Sequence, residues 1–112
     1  MTPQLRPDAI PEGDRREFNR RKLQAEIEIE WGSVTLTASV RDIGPHGLFV
    51  ELTPPLWVGA AFRARLMLNP ILQLDCTVRR IEPNCGFAVS FEPLGERGNA
   101  QLQSLLAALP QV

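Results

Sequence analysis

Between Gln24 and Arg41 polar and apolar residues trade places at almost every step. Ala25, Ile27, Ile29 and Trp31 fall on one side, with Gln24, Glu26, Glu28 and Glu30 on the other. After Gly32-Ser33, Val34, Leu36, Ala38 and Val40 alternate with Thr35, Thr37, Ser39 and Arg41. A period of two belongs to a strand with one face in a core and one in water, and no helix can satisfy it. Gly32 can supply the positive φ that a type II′ turn needs, so the two segments are expected to pair as an antiparallel hairpin.

The rest of the chain repeats the theme. Asp42-Ile43-Gly44-Pro45-His46-Gly47 interrupts the alternation with two glycines and a proline, the composition of a turn. The pattern resumes at Leu48, Val50 and Leu52, breaks at Thr53-Pro54-Pro55 and Gly59, and returns in Phe62, Ala64, Leu66 and Leu68 until Asn69-Pro70. Leu72, Leu74, Cys76 and Val78 then form the inward face of a longer strand, which Glu82-Pro83-Asn84 turns back into Phe87, Val89 and Phe91. From about Arg97 the period changes to that of a helix, with Leu102, Leu105, Leu106 and Leu109 in one stripe, Asn99 as a candidate cap and Pro110 as a stop. About six strands and one C-terminal helix point to an all-β, antiparallel barrel or curled sheet, because closure removes the exposed edges that repeated hairpins leave.

At 112 residues the chain has room for one domain. Residues 1–13, with Pro3, Pro7, Pro11 and Gly13, are expected to be a flexible leader, and 14–109 the folded domain. No apolar run is long enough for a signal-peptide core or a membrane span, so a cytoplasmic protein without membrane insertion is expected. Two cysteines and one histidine cannot build a closed zinc site, and no metal is expected. Cys76 and Cys85 are both read as inward-facing free thiols, with a cross-strand disulfide as the alternative. His46 has no adjacent nucleophile and is expected at the surface, so no catalytic residue is assigned. Trp31 shares the phase of Ile27 and Ile29 and is expected in the core, whereas Trp57, in a proline-rich loop, is free to meet a partner.

The formal net charge is -1, yet residues 14–22 hold five of the 12 Lys+Arg and a local balance of +3. Four of the five are arginines, whose planar guanidinium grips phosphate or a guanine edge through two parallel hydrogen bonds and stacks on bases. The plain alternative is a solvated charge run leading into the first strand. The Asp42–Gly47 turn offers a second candidate. A carboxylate at a strand end can accept from the N1–H and N2–H of guanine, although an aspartate that merely closes its own turn would read the same way.

Taken together, Arg15-Arg16-x-x-x-Arg20 ahead of the first strand and Asp42-x-Gly44-x-x-Gly47-Leu48-Phe49-Val50-Glu51 about twenty residues later resemble the PilZ domain, the bacterial module that binds cyclic di-GMP. The resemblance extends over residues 14–109 and includes Gly86-Phe87-Ala88-Val89-Ser90-Phe91 and the leucine-rich last helix. It implies a six-stranded antiparallel β-barrel with one C-terminal α-helix. Arg16 and Arg20 match the two arginines of the family's RxxxR motif, which hold guanine edges and phosphates, and Arg15 matches an additional arginine often found before them. Asp42 and Gly47 match the ends of the (D/N)xSxxG motif. Gly44 stands where the family has serine. A hydrogen bond to a charged group is worth roughly 1.5–3 kcal/mol, so losing that hydroxyl weakens binding about tenfold to a hundredfold unless a backbone N–H or a water takes over.

The resemblance therefore implies a non-enzymatic second-messenger receptor with no cofactor beyond its ligand, cyclic di-GMP, whose N-terminal arm changes on binding and signals to a protein partner. The alternative is an adaptor with a degenerate ligand site, acting through protein contacts alone. A nucleic-acid-binding barrel of the OB type is disfavoured by the Gln/Glu face at positions 24, 26, 28 and 30, by 6% aromatic residues and by the lack of tyrosine. Oligomeric state, the partner and the downstream process have no signature in the sequence.

Overall fold

The computed structural model describes residues 20–53 and 56–112. Six strands, β1 (Arg21–Trp31), β2 (Val34–Ile43), β3 (Gly47–Glu51), β4 (Ala61–Leu66), β5 (Leu72–Glu82) and β6 (Gly86–Phe91), precede the helix α1 (Glu96–Ala108). They form a closed antiparallel barrel in the order β1-β2-β3-β6-β5-β4. The hairpin expected at Gly32-Ser33 is present with Trp31 opposite Val34, and Gly32 has φ 63°. The barrel closes where Ile27–Glu30 of β1 meet Arg63–Leu66 of β4.

Alternation places the core as expected. Ile27, Ile29, Val40, Leu48, Val50, Leu66, Leu74, Val78 and Phe87 are buried inside, and α1 adds Leu102 and Leu106 to the same cluster. Burying side chains of this size contributes roughly 1.5–3 kcal/mol each, which lets a barrel of short strands stand without staples. Glycine is required at two inner contacts: a Cβ at Gly47 would collide with the carbonyl oxygen of Val89, and one at Gly86 with that of Val50. Gly47 thus brings β3 against β6, a reason for glycine that is independent of any ligand.

Several sequence expectations need correction. Cys76 is buried but Cys85 is exposed, because the β5–β6 turn carries it off the barrel wall; both are free thiols. Helix α1 starts earlier than expected, with Gly95 as N-cap and no side-chain cap, and the Asn99 N–H already bonds the Gly95 carbonyl. Strand β4 ends at Leu66, leaving Leu68 half-buried beyond it. Trp31 is half-buried at the barrel rim, edge-on to Trp57 with ring centroids 5.2 Å apart.

The segment after α1 returns to the barrel. The Lys22 N–H donates to the Pro110 carbonyl at 2.9 Å and the Val112 N–H to the Arg20 carbonyl at 3.3 Å, with Arg21 bridging Gln111. Residues 110–112 thereby line the part of β1 that precedes its pairing with β4. Among the described residues no helix is long and apolar enough to cross a membrane.

Candidate functional site

Two register shifts shape the site, one in β1 between Lys22 and Ala25 and one in β2. Along β2 the inward residues are Leu36, Ala38 and Val40, and strict alternation would send Asp42 into the core after them. Instead the β2–β3 register shifts between Val40 and Asp42: Val40 pairs with Val50 and Asp42 with Phe49, leaving Arg41 as the extra residue. An inserted residue reverses the phase of a strand and re-aims the side chains around it. Ile43 consequently takes the buried inner position, and Arg41 and Asp42, although adjacent, bond to each other on the outer wall.

Asp42 is the buried charged residue there, its side chain 7% exposed. A carboxylate so placed needs partners, since an unpaired buried charge is very costly. Arg20, 22 residues earlier, donates from Nε to Oδ1, and its Nη2 is in ion-pair contact with the same oxygen. Arg41 donates from Nε to Oδ2 at 3.0 Å, while its Cζ lies 3.7 Å from the centroid of the Phe49 ring and its Nη1 3.9 Å from Glu82 Oε1. Phe49 is 1% exposed although it faces away from the barrel core. Arg41 roofs its ring in a cation–π contact and Gly86 lies beneath it. Lys22 stands directly across the ladder from Asp42.

An open cleft of about 550 Å³ runs past this cluster, lined by Lys22, Leu23, Gln24, Arg41, Asp42 and the C-terminal residues Pro110 and Val112. Its wall therefore combines cationic groups, a two-oxygen acceptor and apolar surface, which suits an anion that also carries a planar donor edge.

Of the residues singled out in the sequence, Arg20 and Asp42 are brought together. Gly44 and Gly47 sit in the adjoining turn, which the Gly44 N–H closes by bonding the Gly47 carbonyl at 2.8 Å. The backbone N–H at position 44, where the family has a serine hydroxyl, is thus engaged in the turn itself. Arg15 and Arg16, with the leader, lie outside the described residues. His46 is exposed, and no cluster of three His, Cys, Asp or Glu side chains able to hold a metal occurs among the described residues. Arg41, Phe49, Lys22 and the 110–112 segment were not singled out as site residues; a sequence-visible hint was the arginine immediately before Asp42.

A small closed barrel with arginines gathered round one buried carboxylate on its outer wall defines a class of compact β-barrel modules with a charged surface cleft. The comparison with protein families is specific: the PilZ domain model matches residues 14–108, and the chain belongs to that family. The fold is similar to the Bacillus subtilis inhibitor of motility MotI/DgrA, at 15% identity over 82% of this chain and 49% of that one, with a TM-score of 0.65. It is similar also to the PilZ domain of CeSA from a cellulose-synthesizing bacterium, at 18% identity over 79% of this chain and 94% of that domain, TM-score 0.65. The chain spans about half the length of MotI/DgrA. No curated protein matches the sequence.

Proposed function

We propose that this chain is a non-enzymatic, cytoplasmic receptor for cyclic di-GMP that passes its occupancy to a protein partner. The observation that carries the reading is the meeting of Arg20 and Asp42 across 22 residues of sequence, with Asp42 on the wall of a cleft. In this reading Arg16 and Arg20 engage the phosphates and the O6/N7 edge of guanine, Arg15 adds charge, and Asp42 accepts from N1–H and N2–H. Gly47 shapes the turn, and Gly44 contributes neither a hydroxyl nor its own N–H, so the affinity stands below that of a serine-bearing site. The backbone bonds between Arg20–Lys22 and 110–112 give the arm a route to the end of α1, where a change on binding can be offered to a partner.

Calorimetric titration with cyclic di-GMP tests the receptor reading. Saturable binding in the micromolar range is expected; no heat and no retention on ultrafiltration at ligand concentrations in the hundreds of micromolar would remove it.

One observation favours the adaptor alternative. Trp57, Val58 and Val34 are 58%, 59% and 48% exposed, and Trp57 and Val34 adjoin Trp31 at one rim of the barrel, an apolar surface of the kind used against proteins. An adaptor predicts a partner captured equally with and without cyclic di-GMP and released by Trp57→Ala.

A further inference from the structure

The two arginines on Asp42 are held differently, and the difference bears on how the carboxylate could read a base. A carboxylate offers about four lone-pair positions. The Nε–H of Arg20 takes one position on Oδ1 and that of Arg41 one position on Oδ2, which leaves one free on each oxygen. The Watson–Crick edge of guanine brings two donors, N1–H and N2–H, that call for both oxygens at once. That edge can dock in parallel with both arginines in place, provided the carboxylate stays aimed. Arg41 is the group fixed to aim it: it is the bulge residue, its guanidinium lies on Phe49, and Glu82 faces its far nitrogen.

We propose that Arg41 is a positioning residue that sets base specificity: it stays on Oδ2 and so keeps the carboxylate aimed and counter-charged as guanine takes the free position on each oxygen. This rests on the cyclic di-GMP reading above. The count closes without displacing either arginine, with Oδ2 accepting from Arg41 and one guanine donor and Oδ1 from Arg20 and the other. Adenine presents an acceptor at N1 toward the same carboxylate and is rejected in proportion to how firmly Asp42 is aimed. A carboxylate released from Arg41 can turn about its χ angles and loses that discrimination.

The test compares binding of cyclic di-GMP and cyclic di-AMP by the wild type, Arg41→Gln and Arg41→Lys. The wild type favours the guanine ligand; Arg41→Gln shrinks the guanine-to-adenine affinity ratio about tenfold, and Arg41→Lys, which keeps the charge and can still reach Oδ2, recovers most of it. A structural role alone would lower both affinities in parallel, and an unmoved ratio in Arg41→Gln overturns the proposal while leaving the receptor reading intact. Absence of cyclic di-GMP binding by the wild type overturns both. A second measurement needs no variant: in side-chain NMR spectra the Arg41 Nε–H signal persists at saturating cyclic di-GMP, and its disappearance or a large shift refutes the assignment.

Discussion

The outer wall of the barrel carries two arginine–carboxylate clusters of opposite composition. On the β1–β4 side one cation serves two anions: Arg65 donates from Nη2 and Nε to Glu28 at 2.7 and 3.2 Å and from Nη1 to Glu30 at 2.8 Å. On the β2–β3 side one anion serves two cations, with Asp42 between Arg20 and Arg41. The first lies across the seam that closes the barrel, partly in water, where ion pairs add little to stability. Its carboxylates hold the Arg65 pKa above the ordinary arginine value, chiefly by accepting its hydrogen bonds at Glu28 and then at Glu30. In the second, Asp42 and Arg20 are withdrawn from water while Arg41 stays 45% exposed, and the cluster sits beside a cleft that also receives Lys22. Equal chemistry thus serves closure where carboxylates are in excess and is open to an anionic ligand where guanidinium groups are.

The largest effect should come from removing the central anion. Asp42→Ala leaves Arg20 and Arg41 facing one another with Glu82, 3.9 Å from Arg41, as the remaining counter-charge, and urea unfolding is expected to show a loss of about 2–3 kcal/mol together with loss of cyclic di-GMP binding. Arg65→Ala, whose partners are solvated, is expected to lower the urea midpoint by much less. Equal losses for the two variants would erase the distinction between a buried and a solvated cluster.

Ligand affinity sharpens the contrast next. Arg20→Ala should weaken cyclic di-GMP binding about tenfold or more, whereas Arg65→Ala should leave it unchanged. Calorimetry on the two variants checks this, and a loss on Arg65→Ala would move the binding surface to the β1–β4 side.

The strands of both walls were legible because a strand half in water writes its period directly into the sequence, as Ile27, Ile29, Val40 and Leu74 show. The family motif likewise marked Arg20 and Asp42. What stayed hidden depends on register. Nothing in Val40-Arg41-Asp42 announces an inserted residue, yet that insertion turns Asp42 outward and sets Arg41 over Phe49. Phe49 reads as an outward residue, and only the coverage by Arg41 explains its burial. The return of residues 110–112 to β1 is a contact between chain ends that no local pattern encodes. Cys85 was misplaced for a related reason, since alternation continued through a turn assigns an inner face to a residue that has left the wall.

Alkaline pH gives the smallest expected effect and separates both clusters from the core they enclose. Arg65, with its pKa raised, keeps its charge there, so the wall should contribute little to any change. Cys76 points into the barrel from β5, and burial, then the neighbouring Asp75 charge, pushes its thiol from 9.0 up to about 12. In the unfolded chain the thiol ionises near its ordinary value while the folded protein keeps its proton. The unfolded state therefore binds fewer protons as pH rises from 9 toward 12, and stability that is fully present below pH 9 is progressively lost across that window. By pH 10 the loss is about 1.4 kcal/mol relative to neutral pH. Urea midpoints measured at pH 8 and 10 should show it in the wild type and not in Cys76→Ala, while exposed Cys85 is alkylated in the native protein and Cys76 is not. An identical pH slope in Cys76→Ala would place the titration on the wall instead, and the charge stoichiometry assigned to the two clusters would have to be redrawn.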